Sequence, residues 1–378
     1  MPKKQKKSSS SKVHRVKHHV KHHAAKARGH AVSKLPKNRW LRRIMLSIIA
    51  LVLIATGSMY GIAQWYIWHN RDKPLNYGVT FIPSYARYFG LDPQETMDAI
   101  INDLGVRRFR LVSYWEVIEA NPGTYDFSEL DWQFEKADKV NAKVSLAIGL
   151  RQPRWPECHM PERLKTEPRD VWYPQLKEFM TAVIERYKDH PALDSYQLEN
   201  EFFLSVFGEC QDFDRERLID EYNLVRQLDP DTKLIISRSN NAVGLPIGQP
   251  RPDEFAVSVY KRVWDKTITK RYFEYPFPAW FYGFLAGAGE LLTGKDMIIH
   301  ELQAESWLPE GYNMLTAPLE EQNKSLNAQR LKDRFEYGRA SGMRTIDLWG
   351  VEWWYWRMVH HDDPSLWDVA RNEFKNAD

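Results

Sequence analysis

The chain is short of several things, and each shortage narrows what it can be. It has two cysteines in 378 residues, too few for a disulfide-built scaffold or a thiolate-rich zinc site. No His/Cys/Asp cluster has structural zinc spacing and no calcium loop is evident, so no metal is expected, and the chemistry read below requires no cofactor. No glycine-rich phosphate turn follows the first strand-like run, which argues against an open doubly wound sheet. Acidic residues are missing from residues 1–43, which hold 15 Lys and Arg. Charge of either sign is missing from residues 44–68.

The last two absences define the N-terminal organisation. Residues 1–43 are rich in Lys, Ser, His and Arg, with little apolar surface to bury, and read as a disordered basic tail. His18-His19 and His22-His23 could bind metal only on a folded scaffold. The 25 residues 44–68 are enough to cross a hydrocarbon core of about 30 Å with some tilt. Trp40 at one end and Trp65, Tyr66 and Trp68 at the other suit the two interfaces. The positive-inside rule then makes the tail cytoplasmic and the rest extracellular, a single-pass protein of the cell membrane in contact with lipid through residues 44–68. A cleaved signal peptide ending near Gly61-Ile62-Ala63 is the rival reading. Beyond the tail, 38 basic residues stand against 50 acidic ones, so no nucleic acid is expected on the main domain.

After a linker over 69–75, apolar or β-branched runs recur at 77–81, 107–112, 143–148, 195–198, 233–237, 255–260, 297–300 and 345–349. Helical patterns lie between most of them. One covers 93–103, opened by Asp92 and closed by Gly105; others cover 174–188 and 214–228. The apolar stretch 278–294 contains Glu290 and three interior glycines and reads as a barrel helix or surface ridge. Eight strands alternating with helices over residues 76–378 predict a (β/α)8 TIM barrel, whose chemistry sits at the C-terminal ends of its strands.

Those ends carry an unusual set of side chains: Arg110, Trp115, Trp155, Asn200, Glu201, Tyr260, Glu301 and Trp349. Glu201 and Glu301 each follow a buried run. Two carboxyl groups facing one cleft are what glycosidic bond cleavage requires, one to protonate the leaving oxygen and one to meet the developing positive charge. Asn200 could hold a sugar 2-hydroxyl. Arg110 would keep a neighbouring carboxylate ionised and oriented. Trp349 heads a cluster with Trp353, Trp354 and Trp356, and indole faces stack on sugar rings. Glu199, Glu305 and Glu352 are rival candidates, of which Glu199, one residue deeper, and Glu305, beyond the strand end, rank as supporting groups. Cys158 and Cys210, in loops after the third and fourth strands, are expected to pair outside the cell.

Read together, these motifs resemble the clan A glycoside hydrolases, retaining enzymes on a (β/α)8 barrel, over most of residues 76–360. Asn200-Glu201 is similar to the clan's strand-four motif, whose Glu is the acid/base, and Glu301 to its strand-seven nucleophile. Phe109-Arg110-Leu111-Val112-Ser113-Tyr114-Trp115 resembles the strand-two pattern with a supporting Arg and a following Trp. Asn121-Pro122-Gly123-Thr124-Tyr125-Asp126-Phe127 and Asp131 resemble the loop beyond it. Tyr260 resembles the strand-six aromatic beside the nucleophile, and Trp349 the strand-eight Trp under the sugar. The resemblance implies a retaining β-glycosidase acting on β-linked carbohydrate. A transglycosylase, and a catalytically inactive cell-surface carbohydrate-binding protein, are the alternatives. Glu301-Leu302-Gln303-Ala304-Glu305-Ser306-Trp307 matches no particular substrate.

Overall fold

The computed structural model describes residues 38–210, 212–239, 248 and 250–377. Both histidine pairs and most of the basic tail lie outside these residues. The chain forms two compact units, Met1–Met59 and Tyr60–Asp378. Helix α1 (Arg39–Asn70) begins in the first. Among the described residues it is the one helix long and apolar enough to cross a membrane by length and composition.

The second unit is a closed barrel. Its elements are β1 (Asn76–Thr80), α2 (Pro83–Tyr88), α3 (Pro93–Asn102), β2 (Arg108–Val112), α4 (Trp115–Ile118), α5 (Ser128–Lys139), β3 (Lys143–Ile148), α6 (Arg169–Tyr187) and β4 (Leu193–Leu198). They continue with α7 (Arg215–Leu228), β5 (Lys233–Arg238), β6 (Glu254–Val259), β7 (Arg262–Asp265), β8 (Arg271–Glu274), α8 (Ala279–Thr293) and β9 (Asp296–Gln303). The last are α9 (Leu319–Ser325), α10 (Ala328–Ala340), β10 (Thr345–Trp349), α11 (Val351–His361) and α12 (Ser365–Lys375). The barrel closes in the order β1-β10-β9-β6-β5-β4-β3-β2, every pair parallel. Parallel strands are covered on both faces, which is why they read as apolar runs. All eight expected strands are barrel strands.

Helix starts follow capping chemistry. Asp92 accepts from the Glu95 N–H, Asp214 from the Glu216 N–H, and Asn327 from the Arg330 N–H. The helix expected over 174–188 instead begins at Arg169, leaving Pro174 inside it. Pro168 makes this start possible, because its carbonyl takes the Val171 and Trp172 N–H groups before the proline is reached. The β7–β8 hairpin was not anticipated from the sequence. Its turn is tied by Asp265, which accepts from the N–H groups of Thr267, Ile268 and Thr269.

Residues 60–70 of α1 pack on the barrel. Ala63, Tyr66 and Asn70 are buried, and Tyr66 donates to Asp296 Oδ1 at 2.8 Å. The compact unit therefore takes in turns of the helix that precede the expected linker. Two glycines admit them. A Cβ on Gly287 would come within 2.9 Å of Tyr66 Cβ, and one on Gly342, at φ +85°, within 2.9 Å of Ile67 Cα. The apolar stretch 278–294 is thus the barrel helix α8, and its glycines make room for a second helix.

Candidate active site

The interior of the barrel is polar in two places. Low in it, Arg108 pairs with Asp347 at 2.9 Å. His300 Nε2 lies 3.3 Å from Ser145 Oγ and 3.6 Å from Asp347. Burial, with Arg110 and Arg108 nearby, drives the pKa of His300 well down, so it is neutral. Higher up lies Arg110, which is fully buried. Its Nε donates to Gln197 Oε1 at 2.7 Å, Nη1 to Glu301 Oε1 at 2.7 Å, and Nη2 to Asn200 Oδ1 at 2.9 Å. One guanidinium thus joins β2, β4 and β9.

Glu301 reaches this position through a bulge. On β6, Val257 pairs with Ile299 and the next residue, Ser258, with Glu301, so His300 is the extra residue. Strict alternation would send His300 and Glu301 to opposite faces. The bulge lets both reach the barrel interior, as bulges beside active sites often do. Glu301 Oε2 also accepts from the Tyr260 hydroxyl at 2.8 Å. Both of its oxygens are therefore held by donors.

Asn200 and Glu201 lie just beyond β4 on a strained turn. Glu199 has φ +53° and Glu201 φ +45°, left-handed values that cost a non-glycine residue about 1–2 kcal/mol each. Glu199 anchors the turn: its carboxylate accepts from the Leu150 and Arg151 N–H groups and from Arg217. The Glu201 N–H donates to Ser237 Oγ at 2.9 Å. Its carboxyl is buried, and Oε1 has no hydrogen-bond partner among the described residues. Burial pushes its pKa up to about 7, with nearby Glu301 adding to the rise.

The cleft above these groups has a volume of about 280 Å³. Of the residues expected at the strand ends, Trp155, Asn200, Glu201, Tyr260, Glu301 and Trp349 line it. Arg110 stands behind Glu301 and does not line the cleft. Trp115 is also absent from its wall, contrary to the expectation. It is fully buried, stacked on Phe179 at 5.8 Å, with its indole N–H donating to Glu119. Helix α4 starts at Trp115 itself and turns the side chain into the core.

The cleft also has residues that the sequence did not single out. Phe207 stands between Trp155 (5.8 Å) and Trp307 (6.2 Å), and Trp307 meets Tyr260 at 5.6 Å. These rings form a continuous aromatic stretch of the wall, and Trp349 lines the same cleft. Arg154 caps Trp349 at 4.5 Å and pairs with Glu305 at 3.2 Å. Glu157 is a further acidic group of the lining, buried beside Asn200. Glu352 stays below the cleft, accepting from the Ile82 N–H at 2.6 Å. A pointer to the missed residues was the run Arg151-Gln152-Pro153-Arg154-Trp155-Pro156-Glu157, which packs charge and an aromatic ring directly after a barrel strand. Cys158 and Cys210 form a disulfide that joins this loop to the one after β4. Among the described residues, no group of His, Cys, Asp and Glu could hold a metal ion.

No family model matches the chain. A β-galactosidase from Arthrobacter sp. is 29% identical over 154 residues, covering 36% of this chain and 22% of that protein. The barrel is similar to that of a β-galactosidase from G. stearothermophilus, with TM-score 0.54 and 14% identity over 80% of this chain and 56% of that one. A β-galactosidase from Bacillus circulans sp. alkalophilus gives 0.53 and 14% with the same coverage. One from the Antarctic haloarchaeon Halorubrum lacusprofundi gives 0.51 and 14%, over 80% of this chain and 58% of that one. The likeness is one of fold. The chain spans little more than half the length of each of these structures.

Proposed function

We propose that this chain is a retaining β-glycosidase held at the outer face of a membrane by α1. The observation that carries the reading is the pairing of two unlike carboxyl groups in one cleft. Glu301 is clamped by Arg110 and Tyr260, whereas Glu201 is buried with its pKa raised to about 7. A general acid must keep its proton near neutrality and a nucleophile must be held in place, so the contrast supports Glu201 as the acid and Glu301 as the nucleophile.

In the first step Glu201 gives its proton to the glycosidic oxygen as Glu301 attacks the anomeric carbon. The bond between that carbon and the leaving oxygen breaks, leaving a glycosyl ester on Glu301. In the second step Glu201, now a carboxylate, takes a proton from water. The water oxygen bonds to the anomeric carbon and Glu301 is released. This mechanism calls for carboxyl groups about 5–5.5 Å apart. Asn200 and Trp349 would hold the sugar, and Trp155, Phe207 and Trp307 the aglycone side. Neither step needs a cofactor.

The apolar helix and the disulfide support the proposed location, since disulfides persist in oxidising compartments. The test is hydrolysis of a panel of aryl β-glycosides and β-linked glycans, with aryl β-galactosides included because several barrels of similar fold are β-galactosidases. Turnover should fall by at least about 10³-fold in Glu301→Gln. Unchanged turnover in that variant would remove Glu301 from the mechanism.

A further inference from the structure

Glu157 is left over from the mechanism, yet it lies in the wall of the same cleft. It is only 4% exposed and sits in the loop that the disulfide ties down. Its Oε2 accepts from Asn200 Nδ2 at 3.1 Å and lies 3.6 Å from the Arg151 guanidinium. Among the described residues no group hydrogen-bonds its other oxygen.

The surrounding bonds fix the orientation of the Asn200 amide. Its Oδ1 accepts from Arg110 at 2.9 Å, from Gln197 at 2.9 Å and from Ser237 at 3.3 Å. Three donors on one oxygen leave no ambiguity about which end is the NH2. One of its two hydrogens goes to Glu157. The second is free for a ligand. Asn200 Nδ2 and the unbonded oxygen of Glu157 thus form a neighbouring donor and acceptor on one patch of wall. A hydroxyl both accepts and donates, so it satisfies such a pair with one atom. An acetamido group spreads its N–H and its carbonyl over separate atoms and adds a methyl, so it needs more room than the single oxygen that this buried pair of Asn200 and Glu157 accommodates.

We propose that Glu157 is a substrate-contacting residue that, with Asn200, reads the C2 hydroxyl of the sugar bound at Glu301 and restricts the cleft to β-glycosides with a free 2-hydroxyl. The proposal rests on the glycosidase reading for the placement of C2. Burial supports it, since it pushes the Glu157 carboxyl up to about 8, with Glu201 and Glu301 adding to the rise and Arg151 opposing it. Near neutrality the group therefore keeps a proton and can both give and take a hydrogen bond.

The experiment uses the full chain in detergent, with Glu157→Ala and Glu157→Gln, on an aryl β-glycoside, its 2-deoxy analogue and its 2-acetamido analogue. The alanine variant should lose about 10- to 100-fold in kcat/KM on the parent, the worth of a hydrogen bond to a buried carboxyl. It should lose less than about 3-fold on the 2-deoxy sugar. Wild type should reject the 2-acetamido sugar. Equal losses on parent and 2-deoxy substrate would show a merely structural role, and turnover of the 2-acetamido sugar would overturn the selectivity. The same sugars titrated calorimetrically into Glu301→Gln, with and without Glu157→Ala, separate the two readings. If that variant still hydrolyses the parent, the mechanism fails, while a loss of affinity for the parent and not for its 2-deoxy analogue would still support Glu157 as the 2-hydroxyl contact.

Discussion

At the scale of single residues, Glu201 is the group expected to govern stability against pH and, on the proposed mechanism, activity as well. A carboxyl whose folded pKa is raised from its ordinary value of 4.5 to about 7 favours the protonated form in the native state. Its stabilising contribution is complete below about 4.5 and is lost as pH rises towards 7, because ionisation must then occur in a buried site beside Glu301. Glu201→Gln should therefore raise the thermal midpoint at pH 8, by the equivalent of about 3 kcal/mol, and do little at pH 4.5. An equal shift at both pH values would show that Glu201 is not the group that titrates. In the wild type, kcat/KM should fall above about pH 7, and this alkaline limb should report the same group.

Residues also show the limits of reading chemistry from sequence. Asn200, Glu201 and Glu301 were legible because each follows an apolar run, and a barrel strand carries its last side chains into the cleft. Arg154 and Glu157 were not, because a charged residue in a loop has no periodicity to separate it from a solvated one. Trp115 was misplaced for a related reason: position after a strand does not reveal that a helix begins at that residue and turns the ring inward.

At the scale of elements, the eight strands and the helices expected over 93–103, 174–188 and 214–228 followed from pattern and capping, although the second begins earlier, at Arg169. The bulge at His300 did not, since an extra residue leaves no mark in composition. Nor did the β7–β8 hairpin, whose short strands are half-buried in β7 and mostly exposed in β8. Residues 60–70 of α1 were legible as apolar but not as a partner of the barrel. Gly287 provides the test. Gly287→Leu would drive a side chain into Tyr66 and Ile62, and overpacking of this kind costs about 1–3 kcal/mol. Thermal unfolding of the variant should start several degrees lower in the full chain. The effect should disappear in a fragment beginning at residue 72, which lacks the packed turns. A loss in both would mean that α8 alone rejects the larger residue. The disulfide acts on another pair of elements. It closes a loop of 52 residues between the loops after β3 and β4, worth about 4 kcal/mol on the chain-entropy account.

At the scale of the whole molecule, α1 has 32 residues and a length of about 48 Å. That exceeds a hydrocarbon core of about 30 Å, which leaves length for the proposed anchor in turns that precede the packed residues 60–70. The acidic balance of residues 44–378 and the basic balance of the tail suit such a division. Within the barrel, Arg110 links three strands to Glu301, and the disulfide steadies the loop that carries Glu157. The catalytic assignment depends on these parts acting together, and its central claim is double displacement at Glu301. Proton NMR of the first product released from an aryl β-glycoside tests it most directly. The account predicts a β-configured sugar that only later mutarotates. An α-configured first product would contradict it and make the chain an inverting enzyme.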